Sequence, residues 1–301
     1  KRSTSWERGA IMANIKDLPA DELMYGGLTC AGCGGSLALR LALKVLGRET
    51  VLVMPPCCIM GVTTFYPQMA YEVPCINSVM PGTAAMVSGL AAGLRRKGKI
   101  SANVVGVAGD GGTFDIGLQA LSGAMERGEK FIFLCYDNEG YMNTGNQRSG
   151  ATPLGAYSST TPGGKRQPKK DMLRIAAAHN IPYAASACVS YPNDYMAKIA
   201  RAMAAPGPAY LQVLSPCPIS WGYPTEDTIE IGRLAVQTGV CLLAEYVNGD
   251  FRITYKPKRK PVSEYLGRQE RFSLLTPEEV AGIQAGVDEM WERLESDKRD
   301  G

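Results

Sequence analysis

Val104-Val-Gly-Val-Ala-Gly-Asp-Gly-Gly-Thr-Phe-Asp-Ile-Gly117 is the stretch that decides the fold. The apolar run Val104–Val107 predicts a buried strand, and it leads directly into Gly109-Asp110-Gly111-Gly112. A helical period then runs from Ile116 to Arg127. Strand, glycine turn and helix make one unit of a parallel α/β sheet, with the turn at the carboxyl end of the strand, where such sheets bind ligands. The glycines let a ligand approach the backbone closely, and the start of the helix favours a phosphate group. Asp110 offers a hard oxygen to Mg²⁺, which bridges phosphate oxygens.

Downstream, Phe131–Tyr136 predicts a second strand that ends at Asp137-Asn138, with 26 residues between Gly111 and Asn138. That interval holds one helix and one strand, so Asn138 should arrive beside Asp110 at the same sheet edge. Gly-Asp-Gly alone is a common turn. With this spacing and a strand-terminal Asn, it resembles the thiamine diphosphate motif, whose Mg²⁺ ligands would here be Asp110, Asn138 and the carbonyl of Gly140. No GxxxxGK[ST] sequence is present, which disfavours a nucleoside triphosphatase.

The alternation continues on both sides. Leu37–Leu46 and Ala84–Leu94 read as helices and Val51–Met54 as a short strand; Met172–His179, Met196–Ala204 and Tyr210–Leu214 resume the pattern later. Between them, Asn138 to Lys170 is rich in Gly, Ser, Thr, Asn and Pro and has no apolar period; so long a loop is usually functional. Thr276, Pro277 and Glu279 predict a capped helix start near the C-terminus. Residues 247–272 read as polar and irregular. The expectation is an α/β thiamine diphosphate-binding fold (its diphosphate-binding half), with a mostly parallel sheet and helices on both faces. Residues 1–245 would form the cofactor domain, and 246–301 a C-terminal arm and helix at a subunit interface. No internal repeat or low-complexity tract is evident.

A net charge of +3, from 32 basic and 29 acidic residues, gives no nucleic-acid or membrane footprint. Lys256-Pro-Lys-Arg-Lys260 is a local basic run that reads as a solvated arm. No apolar stretch reaches the roughly 18–20 residues of a membrane span, and no leader pattern is evident; the chain reads as cytoplasmic. In a reducing compartment its nine cysteines should be thiols or metal ligands.

Cys30-Ala-Gly-Cys33-Gly-Gly35 puts two thiols on a tight turn, with Gly32 between them. Taken alone, CxxC could be a zinc half-site, a redox dithiol or part of a cluster site. There is no second CxxC, and the lone histidine, His179, follows a helical Ala run, where it reads as a helix C-terminal residue.

Five separated motifs carry a more specific resemblance: CAGCGG (30–35), the Cys57-Cys58 pair before TTFYP (63–67), GDGGTFDIG (109–117), DNEGYMNTGNQRSGATPLGA (137–156) and SPCP (215–218). Together, from about Met24 to Tyr223, they resemble the thiamine-binding β subunit of pyruvate:ferredoxin oxidoreductase. The resemblance implies thiamine diphosphate, Mg²⁺ and a [4Fe–4S] cluster held by Cys30, Cys33, a third cysteine and Cys217. Aligning Thr64-Phe-Tyr-Pro67 with the family's TPYP segment puts the third ligand on Cys58 rather than Cys57. Cys75, Cys135, Cys188 and Cys241 read as core residues.

The resemblance also implies oxidative decarboxylation of a small 2-oxoacid, with electrons leaving one at a time through the cluster to ferredoxin or flavodoxin. Coenzyme A would accept the acyl group. Asn143 is the leading candidate for a catalytic contact near the reacting carbon, with Thr144, Gln147 and Ser149 behind it. Gly32, Gly109, Gly111, Gly112, Asn143 and Thr144 join Asp110, Asn138 and Gly140 as cofactor-binding candidates. The glutamate that activates the aminopyrimidine comes, in the family, from an α subunit, so a partner chain is implied, as are γ and ferredoxin-like cluster subunits. Met80-Pro-Gly-Thr-Ala84 and Glu139-Gly-Tyr141 depart from the pyruvate-type pattern. Pyruvate stays the first substrate the resemblance implies; the departures make oxalate (without coenzyme A) the alternative, and a non-redox thiamine decarboxylase is a more distant one.

Overall fold

A computed structural model describes residues 14–19, 22–64, 67, 69–99 and 101–296. Its strands are β1 (Thr50–Met54), β2 (Cys75–Asn77), β3 (Asn103–Gly109), β4 (Ile132–Asp137), β5 (Tyr183–Cys188), β6 (Ala209–Leu214), β7 (Leu243–Val247) and β8 (Asp250–Tyr255). Among the described residues they form an eight-stranded sheet in the order β2-β1-β3-β4-β6-β5-β7-β8. The first six are parallel; β7 runs antiparallel to β5, and β8 antiparallel to β7.

The strand period of two sorts side chains onto two cores. Leu52, Met54, Val105, Val107, Leu134 and Tyr136 point to one, packed under the helices Gly34–Leu46 and Pro192–Ala204. Val53, Val104, Ala108, Phe133 and Cys135 point to the other, under Thr83–Arg96, Leu118–Arg127 and Met172–Ala177. Both faces of the parallel region are thus covered, as buried parallel strands require.

The predicted helices and strands are present with ends shifted by a few residues. At the glycine turn a π-helical turn, Gly111–Asp115, precedes the α-helix that begins at Leu118. Such wide turns are frequent at functional sites. From Asn138 to Lys170 the chain forms neither helix nor strand, apart from isolated bridges such as Tyr141 with Gln147.

The region after 246 differs from the irregular arm expected. Residues 250–255 are strand β8 of the main sheet, and a division at 245 would cut through β7. Tyr265, Leu266, Phe272, Trp291 and Leu294 are buried. The alternation Phe251, Ile253, Tyr255 was the strand signal, masked by the flanking charges. The basic run is exposed or half-buried for the most part, and several of its charges are paired: Lys256 with Glu295, Arg259 with Asp288 and Lys260 with Glu264. Among the described residues no helix is long and apolar enough to cross a membrane.

Candidate functional site

The strand order reverses direction between β1 and β3, the place where open α/β sheets bind ligands. The adjacent strands β1, β3, β4 and β6 all end there, followed respectively by Cys57-Cys58, Asp110, Asn138 and Cys217.

Asp110 is fully buried. Its Oδ1 accepts from the Glu139 amide at 3.1 Å and its Oδ2 from the Ser149 hydroxyl at 2.5 Å. One end of the Asn138 side-chain amide lies 2.9 Å from Asp110 Oδ1 and 3.1 Å from the Gly140 carbonyl. Without a cation that end is the nitrogen, donating to both oxygens. With a cation it is the oxygen, and three oxygens then face one another at about the spacing of adjacent ligands around octahedral Mg²⁺, whose metal–oxygen distances are about 2.0–2.1 Å. The donor set fits magnesium. Burial, and then the nearby Asp137 carboxylate, push the Asp110 pKa up to about 8, so the site favours a proton or a cation over a bare carboxylate.

The glycine turn is largely covered. Gly109 is half-buried, Gly111 and Gly112 are buried, and Tyr141 lies over Gly111, its hydroxyl donating to the Gly111 carbonyl at 2.9 Å. A Cβ on Gly111 would lie 2.4 Å from the Tyr141 ring, so a larger residue would displace that ring from the turn. The departing Met80 segment adjoins this turn: a Cβ on Gly117 would be 3.5 Å from the Met80 carbonyl.

Asn143 and Thr144 are elsewhere. They are exposed on a tip closed by reciprocal hydrogen bonds between Tyr141 and Gln147, and Thr144 and Gln147 satisfy each other. Of the polar loop candidates, Ser149 is the one brought to Asp110.

Behind the loop lies a buried charge network that the sequence reading missed. Lys169 pairs with Asp137 at 2.5 Å and with Glu139 at 2.8 Å. Arg271 pairs with the other Glu139 oxygen at 2.8 Å and stacks on Trp221, 3.7 Å from the ring centroid. The Trp221 indole donates to the Asn138 carbonyl at 2.8 Å. Burial raises the Glu139 pKa, but Lys169 and Arg271 outweigh it and hold the carboxylate below its usual range. Burial likewise lowers Lys169, and Asp137 with Glu139 more than reverse it. Lys169 was hidden in the polar loop and Arg271 in the region read as an arm; no local pattern marks either.

Four cysteines converge at the next strand ends. Cys33 caps the helix Gly34–Leu46, its sulfur accepting from the Ser36 amide at 3.4 Å. The Gly34 amide donates to the Pro216 carbonyl at 3.1 Å, which fixes the CxxC turn against the segment bearing Cys217. Gly32 is left-handed (φ 71°), and its carbonyl accepts from Thr228. The Cys58 thiol is pushed up to about 12, first by burial and then by Cys57, Cys217, Cys33 and Cys30 around it. Cys57 is buried and faces Tyr136 instead. Phe65 and Tyr66, which set the register for choosing Cys58, lie outside the described residues. Among the described residues no three His, Cys, Asp or Glu side chains are placed to hold a single metal ion. Four thiols are the donor set that a [4Fe–4S] cubane takes, one to each iron. His179 is at a helix end, bonded to Ser122 and the Ile175 carbonyl.

A model of the thiamine pyrophosphate enzyme C-terminal TPP-binding domain matches residues 57–213. The chain is 50% identical over 284 residues to pyruvate synthase subunit PorB of Methanothermobacter thermautotrophicus, covering 92% of this chain and 99% of that one. It is 47% identical over 291 residues to ketoisovalerate oxidoreductase subunit VorB of Pyrococcus horikoshii, covering 92% and 94%. A chain of the solved 2-oxoglutarate:ferredoxin oxidoreductase of Magnetococcus marinus shares the fold, with a TM-score of 0.54 at 19% identity over 72% of this chain and 79% of that one.

Proposed function

The chain belongs to the PorB/VorB β subunits of the thiamine diphosphate-dependent 2-oxoacid:ferredoxin oxidoreductases, and from that premise we propose that it oxidatively decarboxylates pyruvate together with an α subunit. The observation that carries the reading is the convergence of Asp110, the Asn138 amide and the Gly140 carbonyl within 2.9–3.1 Å. These three hold Mg²⁺, and Gly109, Gly111 and Gly112 present backbone to the diphosphate. Cys30, Cys33, Cys58 and Cys217 hold a [4Fe–4S] cluster, with Gly32 shaping its turn.

When bound, thiamine diphosphate supplies the electron sink for decarboxylation and the cluster takes the electrons singly. This chain orients and shields. Ser149 holds the second oxygen of Asp110 and leaves the first to face the cation. Tyr141 covers the Gly111 turn and keeps bulk water from that side. Asn143 and Thr144, on their exposed tip, reach substrate that the α subunit encloses. That subunit also supplies the carboxylate for the aminopyrimidine, further cluster-bearing and γ subunits pass electrons to ferredoxin or flavodoxin, and coenzyme A takes the acyl group.

A branched 2-oxoacid is the second reading, because identity to the VorB relative is close to that of the PorB relative. The named relatives, a pyruvate synthase subunit and a ketoisovalerate oxidoreductase subunit, give no support to oxalate. The test is anaerobic bleaching of the cluster's visible absorbance in the purified complex. Pyruvate should bleach it more efficiently than 2-ketoisovalerate. Preference for the branched acid overturns the substrate assignment, and absence of iron and labile sulfide overturns the cluster.

A further inference from the structure

Glu139 stands between two of the three proposed cation ligands, and it is a non-glycine residue in left-handed backbone (φ 69°). Such a conformation persists only where the surroundings over-determine it. Here the surroundings hold both its backbone and its side chain: the amide donates to Asp110 at 3.1 Å and Asp137 at 3.2 Å, the carbonyl accepts from Thr152 at 2.8 Å, and the carboxylate is held by two cations. The Glu139 carboxylate is 6% exposed and lies between Lys169, 2.8 Å from Oε1, and Arg271, 2.8 Å from Oε2. Arg271 is itself buried and aimed: its Nε donates to Gln269 at 2.9 Å and its Nη2 to the Tyr265 hydroxyl at 3.1 Å. Its planar face rests on Trp221, whose indole holds the Asn138 carbonyl. One guanidinium, from the segment after β8, thus grips the run 138–140 twice, through the Glu139 side chain and through Trp221 on Asn138.

The side chains of neither Arg271 nor Glu139 point at the cation position. Both act on the peptide run that aims the Asn138 amide and the Gly140 carbonyl. Lys169 cannot substitute, because it holds the far oxygen of Glu139 and touches neither Trp221 nor Asn138 in the contacts above. A guanidinium is suited to this dual task, since it offers charge to the carboxylate and a flat face to the ring at once; the contact with Glu139 is an ion pair, Oε2 receiving no aligned hydrogen bond from the described residues.

We infer that Arg271 is a positioning residue for the magnesium site, clamping Glu139 and Trp221 so that Asn138 and Gly140 face Asp110. The inference rests on the assignment of the cation to Asp110, Asn138 and Gly140. It places the C-terminal segment within the cofactor machinery of its own chain.

The test uses the complex with its partner subunits, stripped of thiamine diphosphate and divalent metal. Mn²⁺ is titrated at saturating thiamine diphosphate and bound Mn²⁺ is read by electron paramagnetic resonance. Arg271→Met should weaken Mn²⁺ binding about 10–100-fold, the usual effect of losing a group that orients metal ligands. Arg271→Lys, which keeps the charge but not the planar fork, should recover only part of this. Glu139→Gln, the milder change should Arg271→Met fail to assemble, should show the same loss, and the double variant should be no weaker than the worse single one. Asp110→Asn is the control. If it loses Mn²⁺ while Arg271→Met and Glu139→Gln bind as tightly as the unaltered complex, the inference is overturned and the cation assignment stands. A lowered thermal midpoint of the metal-free complex with unchanged Mn²⁺ affinity overturns it equally. If Asp110→Asn binds Mn²⁺ normally, the cation assignment itself fails.

Discussion

The indole nitrogen of Trp221 donates to the main-chain oxygen of Asn138 at 2.8 Å, while the Trp221 amide donates to the carbonyl of Cys217 at 3.0 Å. One residue therefore ties a proposed cluster ligand to a proposed magnesium ligand. Trp221 is fully buried.

Replacing Trp221 with Phe keeps an aromatic face for Arg271 but removes the indole donor and some buried ring volume. The Asn138 carbonyl is then left buried without that partner, at a cost of about 1–3 kcal/mol. Denaturant unfolding should show this loss, and thiamine diphosphate should elute from the variant complex more readily on gel filtration. An unchanged midpoint with full cofactor retention would mean that the bond matters to neither.

The adjacent cysteines are predicted to differ in effect. Cys58 is surrounded by Cys217, Cys33 and Cys30, whereas Cys57 packs in the core against Tyr136. Cys58→Ser should lower iron and labile sulfide per chain, and Cys57→Ser should leave both unchanged. The reverse pattern would move the third ligand to Cys57.

Gly34 is where the CxxC turn meets the Cys217 segment. A Cβ there would lie 2.6 Å from the Ser215 carbonyl carbon and 2.7 Å from Pro216 backbone atoms, which cannot swing aside as a side chain could. Gly34→Ala should therefore push the two segments apart, costing about 1–3 kcal/mol as overpacking does. Its iron content should fall even in complexes that remain assembled. Full iron loading in a stable variant would show that the turn can yield.

Much of this was legible in the sequence because it is local. Gly109-Asp110-Gly111 announces its turn through strand and helix periods on either side, and the 26-residue interval fixes Asn138 to the same edge. Thr276 and Glu279 form the predicted capping box, with hydrogen bonds of 2.8 and 3.2 Å. Arg271 was not legible, since what makes it matter is Glu139, 132 positions earlier, and a Trp221 ring packed by tertiary contacts. Ser149 was ranked below Asn143 for a similar reason: nothing in the loop's composition says which polar side chain folds inward. Strand β8 was missed because the charges that an exposed edge strand carries flank and mask the alternation of Phe251, Ile253 and Tyr255.

The raised Asp110 pKa gives the last prediction, with a definite sign. Burial and Asp137 push the group from its ordinary value of 3.8 to about 8 in the metal-free protein. Its contribution to stability is therefore full below pH 3.8 and is lost as pH rises through about 8, because the folded state then carries a buried charge. Mg²⁺ competes with the same proton, so its apparent affinity should climb towards tenfold per pH unit between about pH 6 and 7.5 and level off above about 8. With thiamine diphosphate present, the gap in thermal midpoint between magnesium-loaded and metal-free complex should widen from pH 6 to 8.5, about the range of this titration. Asp110→Asn should remove most of that widening. A gap of equal size at both pH values in the unaltered complex would mean that Asp110 is ionised throughout and that another group meets the cation.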